Sequence, residues 1–201
     1  MTNQIKEVMN YNLEDRFQLE DLKQRKLYIN FEIDENLLND ITYHILRFNT
    51  EDKNKEISER KPILLYCSSN GGSLVDGFSL IDIILASKTP IYTINIGYQY
   101  SMGFLIGIAG HRRYATKNAT YLLHDGSNFM YNSMAKIRDA AKFQDQQEVR
   151  IKEYILSRSK LTSKEYDDKY RVEWYLYSSE AKDKGFCDFI IGEDCDIDDI
   201  I

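Results

Sequence analysis

Three short segments of the sequence contain residue types that together could carry out acyl transfer. They are Ser69-Asn70-Gly71-Gly72-Ser73, then Tyr100-Ser101-Met102-Gly103, and finally Leu122-Leu123-His124-Asp125. A serine hydroxyl is a weak nucleophile at neutral pH and needs a neighbouring base, a role that an imidazole often fills. Ser101 is therefore the candidate nucleophile, and His124 is the candidate general base.

The predicted elements around Ser101 and His124 suit these roles. Ser101 follows a strand-like run at residues 91–97 and precedes a small-residue helical run at residues 103–109. Free amides at a helix N-terminus favour negative charge as it develops. His124 ends a second strand-like run at residues 119–123. Both side chains are thus expected at the ends of strands.

The glycine pair Gly71-Gly72 supplies a further part of such a site. Because glycine has no Cβ, its backbone can approach a substrate closely and turn its N–H groups inward. Together with the amide that follows the nucleophile, this predicts an oxyanion hole. The predicted donors are the backbone N–H groups of Gly72 and Met102.

The order of these motifs resembles that of the ClpP family of self-compartmentalised serine proteases. That family has a Gly-Gly-Ser turn, a Ser-Met-Gly nucleophile, a histidine after a short apolar strand and a distal acid. The resemblance extends from about residue 27 to residue 191. It implies a repeated β-β-α spiral of the ClpP/crotonase type, with a protruding helical handle at about residues 125–158.

The acid of the triad is identified through this resemblance. Residues 179–188, Ser-Glu-Ala-Lys-Asp-Lys-Gly-Phe-Cys-Asp, are similar to the closing segment of the family. Counted back from there, the position of the catalytic aspartate falls on Glu173. A glutamate retains the charge that orients and stabilises an imidazolium. Asp167 and Asp168 are the alternatives nearby.

The other two histidines do not fit the role of a base. His44 falls within a predicted amphipathic helix at residues 35–48, and His111 stands beside Arg112 and Arg113 in a polar turn. Both are expected to be structural or solvated.

Alternating strands and helices predict an α/β domain independently of the resemblance. We expect a peptidase domain at residues 25–193, preceded by a segment at 1–24 that is a propeptide or an axial loop in the family. An acidic tail follows at 194–201. The charged run at residues 49–60 is interpreted as a solvated loop.

Length, charge and cysteine content narrow the classes of function. A chain of 201 residues suits one domain, and a net charge of −6 argues against nucleic-acid binding. The three cysteines show no C-x-x-C spacing, so neither disulfides nor a zinc site are expected. The N-terminus lacks a signal peptide, and no apolar run would span a membrane. A cytoplasmic enzyme without metal or cofactor is expected.

The resemblance implies homo-oligomeric rings, heptameric or doubly heptameric, that cleave unfolded polypeptides delivered by an ATP-dependent AAA+ unfoldase. Two alternatives stay open from the sequence. The first is a non-catalytic ring subunit, which the substitution at Glu173 favours. The second is a crotonase-type acyl-CoA enzyme, which shares the fold and the glycine oxyanion hole but not a serine-histidine pair at this spacing.

Overall fold

The computed structural model describes residues 13–126 and 132–201. The predicted N-terminal segment is therefore described only from residue 13, and residues 127–131 of the predicted handle lie outside the described part. Within the described ranges, seven α-helices alternate with seven strands, which confirms the predicted α/β class. No helix in these ranges is long and apolar enough to cross a membrane.

The strands predicted at residues 91–97 and 119–123 and the helix predicted after Ser101 are present, together with elements that the sequence analysis did not predict. The strands are β1 (Lys26–Ile29), β2 (Ile63–Ser69), β3 (Ile91–Tyr100), β4 (Arg112–Thr116), β5 (Thr120–Leu123), β6 (Trp174–Tyr177) and β7 (Phe189–Ile191). The helices are α1 (Leu13–Lys23), α2 (Tyr43–Glu51), α3 (Leu74–Ala86), α4 (Met102–Gly107), α5 (Met134–Ser157), α6 (Ser163–Lys169) and α7 (Ser178–Asp183). A π-helical turn, Leu38–Thr42, leads into α2.

The strands form one sheet that forks at β3. The parallel order is β1-β2-β3-β4-β7, and β5 pairs with the second half of β3. Strand β6 runs antiparallel to β5. The first five residues of β2 are all buried, as expected for a parallel strand that is covered on both faces. The fork brings β5 and β6 beside the carboxyl end of β3.

Apolar residues pack on both faces of the sheet. The larger core includes the side chains of α4, whose six residues are all buried. A smaller cluster on strands β2, β3 and β4 contains Tyr66, and it is completed by Ile200 near the C-terminus. The Tyr66 hydroxyl donates a hydrogen bond to the Ile200 carbonyl at 2.7 Å. The acidic tail thus ends with an apolar side chain packed on the sheet.

The prediction of a solvated loop at residues 49–60 is wrong for part of that run. Helix α2 continues to Glu51, and Asp52 is completely buried. The Arg25 guanidinium donates to both carboxylate oxygens of Asp52, at 2.5 and 2.9 Å. The composition of a charged run does not reveal this ion pair, because Arg25 lies outside the run.

Helix α5 has the mixed character that the sequence predicts for the handle. Of its 24 residues only Ile155 is buried. Met134, Phe143 and Val149 are more than half exposed in the single chain. Most of the stabilisation of a helix in a protein comes from packing of its apolar face, so a helix with this much exposed apolar surface is suited to contact another chain.

We expect Asp52→Asn to destabilise the fold by about 3–5 kcal/mol at pH 7, because it removes the buried carboxylate that the Arg25 guanidinium contacts directly. The Arg25 guanidinium holds the pKa of Asp52 well below its usual range. The ionised pair therefore stabilises the fold above the unfolded pKa of about 3.9, and this contribution is lost as the pH falls towards the folded pKa. Urea unfolding at pH 7 and below pH 4 measures both effects.

Glu51→Gln is the matched control for this prediction. Glu51 also approaches Arg25, at 4.0 Å, but its side chain is 48% exposed. Because this carboxylate is half exposed and is not hydrogen-bonded to Arg25, removing its charge should change the free energy of unfolding by less than about 1 kcal/mol. Equal losses in the two variants would contradict the assignment of the buried pair.

Candidate active site

The register of the sheet brings the three predicted segments to one edge. Ser69 pairs with Gln99 between β2 and β3, and Tyr100 pairs with Leu122 between β3 and β5. Parallel strands whose carboxyl ends coincide place the residues that follow them in a common crevice. The glycine turn, Ser101 and His124 therefore meet beyond these strand ends.

The acid reaches the histidine through an antiparallel pair. Leu123 of β5 is opposite Trp174 of β6, so His124 and Glu173 are the next residues on adjacent strands. His124 Nδ1 lies 3.0 Å from Glu173 Oε1. With the proton on Nδ1, the imidazole donates to the carboxylate, and Nε2 is left as the basic nitrogen.

The alternative residues lie elsewhere. Asp167 accepts hydrogen bonds from Lys152 Nζ at 2.6 and 2.8 Å, so its carboxylate is already engaged. His111 Nδ1 accepts a hydrogen bond from the backbone N–H of Ile91 at 3.0 Å. Burial lowers the pKa of His111 and of His44. Neither histidine lines the cavity that contains Ser101.

The backbone of Ser101 has an uncommon conformation. Its φ is 52° and its ψ is −120°, a region that a residue with a Cβ adopts at a cost and keeps only when its surroundings hold it there. The Ser101 N–H donates to Leu122 O at 3.1 Å, and its carbonyl accepts from Leu105 N–H at 3.2 Å. These bonds fix the serine between β5 and helix α4.

The two glycines are required by close backbone contacts. Gly71 has φ +102°, and a Cβ there would lie 2.8 Å from both Ser101 Cβ and Met102 N. Gly72 has φ +143°, and its Cβ would lie 2.2 Å from Ile33 O. Alanine at either position would need the neighbouring backbone to move. The glycine turn is therefore packed directly against the serine on one side and the chain after β1 on the other.

The predicted oxyanion donors are free among the described residues. The Ile33 N–H donates to Gly71 O at 2.8 Å, and the Ile33 carbonyl accepts from Ser73 N–H at 2.7 Å. Neither bond involves the N–H of Gly72. No described group accepts a hydrogen bond from Gly72 N–H or from Met102 N–H. Both amides are thus available to a substrate oxygen.

Ser101 and His124 share one cavity of about 570 Å³. Gly72 and Met102 also line it, and an apolar floor is formed by Phe104, Leu105, Leu123 and Ile151. The His124 Nε2 atom is buried and has no hydrogen-bond partner among the described residues, so the serine and the imidazole are not bonded here. Catalytic hydrogen bonds are often long in free enzymes and shorten when substrate binds.

Two residues that support the site were not predicted from the sequence. Ile33 anchors the glycine turn through backbone bonds, and no sequence pattern indicates a contact of this kind. The Tyr175 hydroxyl lies 3.4 Å from Glu173 Oε2 and donates to it. Residues two apart on a strand share a face, so the spacing from Glu173 could have indicated Tyr175.

Ser101, His124, Gly72 and Met102 line one cavity, and Glu173 is hydrogen-bonded to His124. This arrangement on an α/β fold is typical of serine hydrolases. Comparison with known proteins narrows this class. The family model described as Clp protease matches residues 12–194. The chain belongs to the Clp protease family.

Individual relatives agree with this assignment. The chain is 30% identical over 172 residues to ATP-dependent Clp protease proteolytic subunit 2 of Tropheryma whipplei (strain Twist), covering 84% of this chain and 92% of the relative. It is 31% identical over 187 residues to proteolytic subunit 1 of Mycobacterium leprae (strain TN), covering 90% and 88%. The predicted family, fold and serine-type endopeptidase class are confirmed, and the crotonase alternative is set aside.

We expect Glu173→Gln to lower kcat strongly, because an amide cannot stabilise an imidazolium on His124. Loss of the charge costs about 10⁴-fold in a well-studied triad. The loss here should be smaller, because the Glu173 side chain is 59% exposed and water weakens its field. Steady-state cleavage of a small fluorogenic peptide provides the measurement.

Glu173→Asp and Asp167→Asn complete this test. Aspartate is shorter by one methylene and would withdraw the carboxylate from Nδ1, so its kcat should fall as well. Asp167→Asn changes a carboxylate that is bound to Lys152, and it should leave kcat unchanged. Wild-type rates in both Glu173 variants would remove this residue from the mechanism.

Proposed function

We propose that the chain is an active proteolytic subunit in which Ser101, His124 and Glu173 form the catalytic triad. One observation carries the proposal. His124 is hydrogen-bonded to Glu173 through Nδ1, and it lines the cavity that Ser101, Gly72 and Met102 also line. That arrangement supplies a base, a nucleophile and two oxyanion donors in one place.

In the first half of the reaction, Ser101 Oγ attacks the carbonyl carbon of the scissile peptide bond while His124 Nε2 accepts the hydroxyl proton. The carbonyl oxygen becomes an oxyanion, which accepts hydrogen bonds from Gly72 N–H and Met102 N–H. Glu173 stabilises the imidazolium through Nδ1. His124 then donates its proton to the leaving amine, and the C–N bond breaks to leave an acyl-serine.

In the second half, water replaces the amine. His124 Nε2 accepts a proton from the water as its oxygen attacks the acyl carbon, and the same two amides hold the oxyanion. The proton then returns to Ser101 Oγ as the ester bond breaks. A carboxylic acid product and the free enzyme result, so no metal or cofactor takes part.

The same proposal includes assembly into homo-oligomeric rings, heptameric singly or in pairs, that work with an ATP-dependent AAA+ unfoldase. Family membership supports rings and a Clp ATPase partner. The name of the relatives, ATP-dependent Clp protease proteolytic subunit, supports a subunit whose work depends on ATP. The exposed apolar side chains of α5 support a contact between chains. Unfolded polypeptides are the substrates. We place the chain in the cytoplasm, which its three free cysteines suit.

One observation favours a second candidate, the non-catalytic ring subunit. Nε2 of His124 lacks a hydrogen bond to Ser101 among the described residues, and an inactive subunit would have no need of one. The two candidates differ in whether Ser101 reacts.

Treatment with a fluorophosphonate tests the proposal, because only a serine activated by a base beside an oxyanion hole reacts quickly. We expect one adduct per chain, at Ser101, by intact-mass analysis and peptide mapping. Ser101→Ala should abolish the adduct and lower peptidase activity by about 10⁶-fold. Native mass spectrometry on the same sample should show a closed ring.

The matched control is Ser178→Ala. The Ser178 hydroxyl is buried and donates to Lys117 O, so its loss should leave the adduct in place. A fully assembled wild type that never forms the adduct would support the non-catalytic candidate. An adduct that persists in Ser101→Ala would contradict the assignment of the nucleophile.

A further inference from the structure

The proposed nucleophile lies at the start of helix α4. The last turn of α4 and the residues after it are bonded by two side chains, Tyr154 on α5 and Arg158 directly after α5. The Tyr154 hydroxyl donates to Leu105 O at 2.8 Å. Arg158, the residue that follows α5, donates from Nε to Ile108 O at 3.0 Å and from Nη2 to Gly110 O at 2.7 Å. A longer bond from Nη2 reaches Ala109 O at 3.3 Å. Leu105 O is among the last four carbonyls of α4, which a helix end leaves without a partner inside the helix. The carbonyls of residues 108–110 belong to the turn that follows α4.

The connection from these contacts to the serine is short. Leu105 accepts from Tyr154 through its carbonyl and donates through its N–H to Ser101 O at 3.2 Å. Helix α4 spans only Met102–Gly107 and is buried throughout, so it moves as a unit. A displacement at Leu105 would therefore shift Ser101 and the N–H of Met102.

Both side chains are themselves held in place. Burial raises the pKa of Tyr154, which keeps the hydroxyl protonated as a donor, and its ring packs edge-on against Phe78 at 5.8 Å. The backbone carbonyl of Arg158 accepts from Arg113 Nη1 at 2.6 Å. Arg113 is fixed in turn by a two-pronged bond to Asp188. The contacts to α4 therefore come from a rigid support.

We propose that Tyr154 and Arg158 are positioning residues for catalysis, which hold α4 so that Ser101 and the Met102 N–H keep their reactive geometry. This inference rests on the proposed function. Misplacement of reacting groups by about 1 Å can cost about 100-fold in rate. Because neither side chain lines the cavity, their loss should lower kcat and leave KM nearly unchanged.

Tyr154→Phe tests the proposal with the smallest change, since it removes one hydroxyl and keeps the ring. Tyr66→Phe is the matched control, because Tyr66 also donates from a buried hydroxyl to a backbone carbonyl, at 2.7 Å, but this carbonyl belongs to Ile200 in the smaller cluster and not to α4. The measurements are the rate of fluorophosphonate labelling at Ser101, kcat and KM for a small peptide, and the midpoint of thermal unfolding.

We expect both variants to lose similar thermal stability, while Tyr154→Phe alone slows labelling and kcat, by about 10-fold. The pH dependence of kcat/KM should keep its apparent pKa, because the His124–Glu173 pair is untouched. Arg158→Ala should slow labelling further. Arg158→Lys, which keeps the charge but not the forked donors, should recover part of the rate.

The failures of the two proposals are distinguishable. Absence of labelling in the assembled wild type overturns the proposed function itself. Labelling of wild type and Tyr154→Phe at the same rate overturns the positioning role alone, and so does equal slowing in Tyr66→Phe. If Tyr154→Phe does not fold, an Arg158→Lys variant that folds and labels at the wild-type rate overturns it.

Discussion

The conformation of Ser101 is the constraint on which the rest of the site depends. At φ 52° and ψ −120° the residue is strained, and such a backbone persists only where its surroundings leave it no alternative. The backbone of Gly71 lies so close that a single methyl group would contact Ser101 Cβ and Met102 N at 2.8 Å. The glycine turn, Ser101 and Met102 are therefore packed as one body.

The sheet supplies the rest of the geometry through its register. Strand β3 separates from β4 after Asn95 and continues beside β5, which brings His124 to the cavity that Ser101 also lines. The antiparallel pair of β5 with β6 then places Glu173 beside His124. The three residues of the proposed triad lie at three neighbouring strand ends, so backbone hydrogen bonds of the sheet fix the position of each.

Local residue patterns were enough to predict much of this. The alternation of strand-like and helical runs predicted the α/β class, and the order of Gly72, Ser101 and His124 indicated the chemistry. The ClpP/crotonase-type spiral was predicted only through the family resemblance. Glu173 could be reached only through the family resemblance, because its contact with His124 depends on a pairing 49 residues apart. The burial of Asp52 and the hydrogen bond from Tyr154 to Leu105 depend on tertiary packing. A local residue pattern does not predict contacts of this kind.

Gly71→Ala compared with Gly192→Ala tests the central claim most directly. Both glycines have φ between +80° and +110°, but nothing lies within 4 Å of a Cβ at Gly192. Both substitutions should therefore lower the free energy of unfolding by a similar amount, about 1–2 kcal/mol, through backbone conformation. Only Gly71→Ala should also displace Ser101 and Met102. The account predicts that fluorophosphonate labelling of Ser101 falls about 100-fold in Gly71→Ala and is unchanged in Gly192→Ala. Equal labelling rates in the two folded variants would contradict it.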